Sequence, residues 1–419
     1  MRRLALAAAA IGLAAGAAAA VLLSRGHEHH VRVAPPPPST TTRPARRLRP
    51  RPPAFAWPTY GYDAARDHAP HGLRLRPPFR RLWAAFADSS FVEFPPVLDR
   101  GRLFFGTNHG LVLALDARTG KRVWQRQLGG CVASSPAVAG GVVYLGFMDP
   151  PPCTGTDPSF LAAFDARRGQ TLWRFRAGPI ESSPLVSSGL VYFGSWDGRL
   201  YALEARTGRV RWSFATGDKV KGGVALADGV VFAGSYDGRL YALDARTGRL
   251  RWSTGGLGGL YATPSIAEGR VVVGSTDGSL YAFAARDGRE LWSRRTGSFV
   301  YAAAAIAGGT VYVGSYDHRL YALVASTGAV RWTYDAGAPI SGAPTVLDGL
   351  VYFSTCGSCS SYESSPRARR TFALDARTGR LVWRFDDGEY SPVIADRSRL
   401  YLTGYTTVYA FEPAGTAGR

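Results

Sequence analysis

Short apolar runs, broken by Gly or Asp-Gly every eight to twelve residues, fill most of the chain, and the repeating part sustains no 3.6-residue period. Runs of this kind, rich in Val, Tyr, Phe and Trp, predict strands rather than helices. The stretch from Gly194 to Trp212, GSWDGRLYALEARTGRVRW, returns almost unchanged from Gly234 to Trp252 and from Gly314 to Trp332, and in drifted form from Gly274 to Trp292. Trp124, Trp173, Trp212, Trp252, Trp292, Trp332 and Trp383 close successive units. Four of the six intervals are 39 or 40 residues, and the two long ones, 49 and 51, carry insertions. A period of about 40 made of strands is that of a propeller blade.

The third unit divides at its turns into four predicted strands, residues 183–187, 190–195, 200–205 and 210–214. The two middle ones are continuously apolar, which places them between neighbouring blades. The last alternates, so Arg209, Arg211 and Ser213 should face water. The first strand carries little bulk, as strands converging on an axis require. Asp197-Gly198, Asp237-Gly238 and Asp277-Gly278 supply the positive φ of tight hairpins, a place taken by His318 in another unit. In the next turn, Asp244 to Gly248, the Asp and Thr side chains cap backbone amides while Gly takes the left-handed position.

After Trp383 three strands remain, around residues 392–395, 400–404 and 408–411, with no closing Trp. Near the start, Arg81 to Phe86 reads as an outer strand containing Trp83 but lacking a unit before it. Pairing the first strand with the last yields an all-β, eight-bladed ring of four-stranded antiparallel blades without free edges.

Composition changes this picture only at the N-terminus. The formal charge of +19 suggests nucleic acid until it is located: residues 1–82 hold 14 Lys and Arg against 3 Asp and Glu, leaving +8 for the remaining 337. With most of the excess charge in the N-terminal residues and the rest scattered, a nucleic-acid partner is not expected. Residues 4–23 are uncharged and long enough to cross a bilayer, and they imply export, either as a retained anchor, the reading adopted, or as a signal cleaved near Ala17 to Ala20. With no Cys before Cys131, the N-terminal region offers no cysteine for lipid attachment. The organisation read from the chain is a membrane segment at 1–23, a Pro/Arg-rich spacer at 24–56, the propeller at 57–413 and a tail at 414–419.

The pattern A-x-D-x-x-T-G-x-x-x-W stands intact from Ala114 to Trp124, Ala242 to Trp252 and Ala373 to Trp383, with one changed position in three further copies. It resembles the tryptophan-docking motif of the pyrroloquinoline quinone (PQQ)-type β-propellers. That resemblance implies a ring whose closing Trp side chains pack on the adjacent blade. It also implies two contrasting functions. One is a non-catalytic propeller outside the cytoplasm, similar to the propeller lipoprotein of outer-membrane β-barrel assembly, with a protein or small-molecule partner. The other is a quinoprotein dehydrogenase of alcohols or sugars, holding PQQ and Ca²⁺ on the axis. The dehydrogenases have an adjacent Cys-Cys pair that is missing here. The expectation is therefore a membrane-tethered, monomeric binding module without cofactor or metal.

Strand parity puts the turn before each inner strand and the turn between the second and third strands on one end of the ring. Three places before the Pro of the inner strand stand, in blade order, Glu93, Ala133, Glu181, Lys221, Tyr261, Tyr301, Ser341 and Glu389. The residue before it is mostly Val, Ile or Leu while this position changes in kind, so the polar members are the candidate ligand-binding rim. Insertions at residues 147–159 and 354–370 fall on the same end with all four cysteines. In an exported chain an even count predicts disulfides, Cys131 with Cys153 and Cys356 with Cys359. Haem attachment would need His where Ser360 stands, and one CxxC is half a zinc site.

Overall fold

The computed structural model describes residues 55–87, 92, 94–150, 153, 159–357, 359, 368–390 and 393–415. The expected membrane segment, most of the spacer and Glu93 lie outside these residues. Among the described residues no helix is long and apolar enough to cross a membrane.

Among the described residues, thirty-two strands form eight four-stranded antiparallel sheets. Each of the first seven blades is built from consecutive strands; the third holds Leu185–Ser187, Leu190–Ser195, Arg199–Glu204 and Val210–Ala215. Its middle strands are largely buried, and its outer strand exposes Arg211 and Ser213 while burying Trp212. The eighth combines Ile394–Ala395, Leu400–Thr403 and Thr407–Pro413 with Phe79–Phe86, which pairs along the whole of Thr407–Pro413. First and last strands thus share one blade, as the repeat count requires.

The Trp side chains fasten each blade to the next. Each indole N–H reaches an Ala carbonyl in the turn of the following blade: Trp124 to Ala166 (3.0 Å), Trp173 to Ala205 (3.0 Å), Trp212 to Ala245 (2.9 Å), Trp252 to Ala285 (3.1 Å), Trp292 to Ala325 (2.8 Å) and Trp332 to Ala376 (3.2 Å). Trp83 completes the ring by donating to Ala117 of the first blade (3.3 Å). Trp383 instead packs edge-on against Phe79 and Phe411 of the eighth blade. The Gly of each docking turn lies flat beneath the ring: at Gly248 (φ +71°) an added Cβ would stand 2.7 Å from the Trp212 indole. Asp244 Oδ1 holds the turn by accepting from the Thr247 amide and hydroxyl, and His318 takes the hairpin position at φ +72°.

The axial channel is not empty along its length. Residues 57–75 cross it and visit the blades in order. Trp57 forms an isolated antiparallel bridge with Leu98 in blade one. The carbonyls of Pro58, Ala64, Ala65, Asp67 and His68 then accept from Val138, Leu226, Ile266, Ile306 and Val346, the central inner-strand residues of blades two, four, five, six and seven. Thr59 reaches Pro184 of blade three (3.3 Å), and the Leu75 carbonyl accepts from Tyr352. At the centre, the fully buried Arg66 guanidinium donates to the carbonyls of Val224, Tyr60, Ser183 and Pro184 and to Thr59 Oγ1. The segment therefore seals one end of the ring and leaves a cup at the other.

Candidate functional site

Five of the rim residues each follow an apolar anchor that fixes the backbone. Ile180, Val220, Leu260, Val300 and Ile340 are fully buried, each against a Gly that is the last or penultimate residue of a second strand. A Cβ on Gly274 would lie 2.5 Å from Val300 Cγ1, and one on Gly234 2.6 Å from Leu260 Cβ, so only Gly lets the anchor seat. The buried residue after that Gly, Phe147 for Ile180 and Ser for the other four, receives the anchor's amide through its carbonyl, as Val220 to Ser195 (3.0 Å) and Leu260 to Ser235 (3.0 Å). With the anchor pointing into the blade, the next side chain points to the axis.

Five of the predicted positions meet there. Glu181, Lys221, Tyr261, Tyr301 and Ser341 line a cavity of about 340 Å³ whose floor includes Tyr60 of the crossing segment. Glu181 accepts hydrogen bonds from the Tyr261 hydroxyl and from Trp196 Nε1 (3.1 Å), and Lys221 Nζ stands 3.7 Å from its Oε2. Burial pushes the Glu181 carboxyl above its ordinary pKa, against the opposing pull of the Lys221 charge and the two donors. The Lys221 ammonium lies 4.0 Å from the Trp196 ring centre and 5.3 Å from that of Tyr236, a cation over aromatic faces. Beyond it the Tyr261, Tyr301 and Tyr316 rings follow at 4.9 Å steps, and Tyr316 bonds Ser341 (3.2 Å). Phe299, stacked on Tyr301, stays 45% exposed at the mouth.

Two other described positions, Ala133 and Glu389, are not among the residues lining this cavity. Ala133 is buried beside Cys131 and Met148. Glu389 is not a free rim group. Its carboxylate has no exposed surface, pairs with Arg369 (3.0 Å) and accepts from the Gly357 amide (3.1 Å). The seventh-blade insertion therefore covers it. Both expected disulfides are present, Cys131–Cys153 and Cys356–Cys359, and Cys359 lines the cavity.

Trp196, Tyr236 and Tyr316 were missed, although each is the variable residue of the G-S-x-D hairpin that parity places on this end. Tyr60 had no signal, because its place depends on the course of the crossing segment.

The donor set does not fit calcium. The ion takes six to eight oxygen ligands, whereas the one described carboxylate lining the cavity already holds an ammonium and two neutral donors. Among the described residues no group of three or more His, Cys, Asp or Glu is placed to hold a metal.

Comparison with known proteins gives relatives of both kinds. The outer membrane protein assembly factor BamB of Nitrosomonas eutropha is 30% identical over 144 residues, 34% of this chain and 33% of that protein. The quinohemoprotein alcohol dehydrogenase of Comamonas testosteroni is 33% identical over 175 residues, 41% of this chain but 20% of that protein. These matches span between a fifth and a third of the relatives' lengths. Among solved structures, the same dehydrogenase superposes with a TM-score of 0.70 at 16% identity, covering 87% of this chain and 81% of that one. BamB from Moraxella catarrhalis gives 0.61 at 18%, covering 81% and 99%. The model of the family described as outer membrane protein assembly factor BamB matches residues 80–213, 197–300 and 296–418, and with nearly the whole ring so matched, the chain belongs to that family of PQQ-repeat propellers.

Proposed function

We propose that the protein is a non-catalytic binding module held outside the cytoplasm by the apolar segment at residues 4–23, with the spacer at 24–56 setting its distance from the membrane. Its partner is a protein that presents a side chain or terminus to the aromatic cup. The observation that carries this reading is the Glu181–Lys221 pair. The carboxylate is saturated by Tyr261, Trp196 and Lys221, and the ammonium sits over aromatic rings, so the cup offers contact surface and fixed charge rather than a free base. The relatives named as assembly factors support a protein partner. The alternative, a PQQ- and calcium-dependent dehydrogenase, draws on the quinohemoprotein relatives.

Two measurements separate them. A photo-crosslinking residue at Phe299, on the mouth, should give one discrete adduct in intact membranes. The same residue at Leu172, equally exposed on an outer strand, should give none. Dye-linked alcohol or sugar oxidation after addition of PQQ and Ca²⁺, abolished by Glu181→Gln, would overturn the proposal.

A further inference from the structure

We infer that the Cys356–Cys359 disulfide is a thiol-exchange site opening on the cavity, in which an incoming thiol attacks Cys359 and Glu389 receives the S–H of departing Cys356. This is independent of what else the cavity binds. The two sulfurs are placed unequally: Cys359 lines the cavity, whereas Cys356 is 1% exposed. Exchange requires access to the attacked sulfur, and here Cys359 has it while Cys356 does not.

Glu389 supplies the second, separate observation. Its Oε1 lies 3.3 Å from Cys356 Sγ, with the carboxylate fixed by Arg369 Nε (3.0 Å) and the Gly357 amide. Arg369 in turn lies over the Tyr405 ring at 3.5 Å, so the anion is rigidly held. A disulfide sulfur has no proton to give that oxygen. Reduction provides one and turns the contact into a charge-assisted S–H···O bond, which favours the dithiol.

The second disulfide repeats the unequal burial, with Cys131 1% exposed and Cys153 partly exposed, but neither of its cysteines lines the cavity. Cys131 and Cys153 are 22 positions apart, against 3 for Cys356 and Cys359, and a link restrains the unfolded chain more as its loop lengthens. Cys131 is pinned through its amide to Asp149 (3.1 Å) and its carbonyl to Met148 (2.9 Å). That bridge is structural.

The exchange balances as follows. A thiol R–SH attacks Cys359 Sγ, forming a mixed disulfide and breaking the Cys356–Cys359 bond. The proton lost by R–SH ends on Cys356, facing Glu389. A second thiol attacks the R sulfur, releasing R–S–S–R and leaving Cys359 as a thiol. Two thiols are oxidised and one protein disulfide is reduced, with two electrons and two protons transferred.

The test equilibrates the full-length protein in glutathione buffers of stepped ratio, alkylates free thiols with a mass tag and maps the peptides. The Cys356–Cys359 pair should open within the glutathione range while Cys131–Cys153 stays closed. In Cys356→Ser, glutathione should add to Cys359; in Cys359→Ser, Cys356 should stay unlabelled in the native protein. Glu389→Gln should shift the equilibrium at least tenfold towards the disulfide, about 30 mV for a two-electron couple. A pair that stays closed until the protein unfolds, one that opens together with Cys131–Cys153, or an adduct mapped to Cys356 would overturn the inference. An unchanged midpoint in a Glu389→Gln protein that melts like the parent would remove Glu389 from it.

Discussion

Replacing Trp292 by Phe should cost the fold about 1 to 2 kcal/mol more than the same replacement at Trp212, because of what each indole N–H leaves behind. The two rings are matched in burial, 7% and 8% exposed, and the void left by the smaller ring is common to both. Their acceptors differ. The Ala245 carbonyl takes a second hydrogen bond from the Tyr192 hydroxyl (3.2 Å), and Trp212→Phe leaves it satisfied. The Ala325 carbonyl, on a residue 3% exposed, has Trp292 as its side-chain donor among the described residues, with Val272 where blade three carries Tyr192. A lost hydrogen bond costs about 1 kcal/mol, and an orphaned buried acceptor adds about 1–3. Urea unfolding followed by far-UV circular dichroism gives both values, provided the slopes agree. A cycle checks the cause: adding Tyr192→Phe to Trp212→Phe should cost about 1 kcal/mol more than the sum of the single changes. Equal losses at Trp212 and Trp292, together with an additive cycle, would refute the idea that the docking carbonyls are kept satisfied by paired donors.

Three further outcomes are expected. Deleting residues 79–87 removes the outer strand of the eighth blade and should yield an aggregating or protease-sensitive protein; a deletion melting like the parent would argue against closure through that strand. Gly208→Ala places a Cβ at φ +71° and 2.7 Å from the Trp173 ring, so a loss of about 2–4 kcal/mol should appear in the same urea assay. Burial, helped by the neighbouring Arg66 charge, pushes the His68 pKa down to about 3. Below its ordinary value near 6.5 the unfolded chain takes up a proton that the folded chain refuses, so stability falls as pH drops from 6.5 towards 3, by about 3 kcal/mol between pH 7 and pH 4. Asp67, raised by burial to about 6, acts in the opposite direction. His68→Leu should therefore lose less stability on acidification than the parent, as thermal melts across that range will register.

The ring was legible because its chemistry is local and repeated. Trp spacing, Asp-Gly hairpins and the orphan strand around Trp83 each state a short-range requirement, and together they set blade number and closure. The convergence of Glu181, Lys221, Tyr261, Tyr301 and Ser341 followed from the two-residue alternation and strand parity. Glu389 occupied the same repeat position yet ended under the seventh-blade insertion, since repeat logic does not govern a non-repeating loop. The crossing segment was illegible for the opposite reason. Its bonds run mostly from carbonyls to inner-strand amides, and a backbone partner leaves no mark on side-chain patterning.

The order in which residues 57–75 meet the blades bears on how the ring is made. Its contacts advance from blade one to blade seven in the direction of synthesis, while its own continuation, Phe79–Phe86, must wait for Thr407–Pro413. A growing chain thus holds, from its earliest folded residues, a spindle onto which every later sector can be threaded as it emerges. The final clasp is withheld until the last residues arrive. A circular permutant opened between two blades would keep every sheet yet lose that sequence of events, so native-like stability with slowed assembly is its signature.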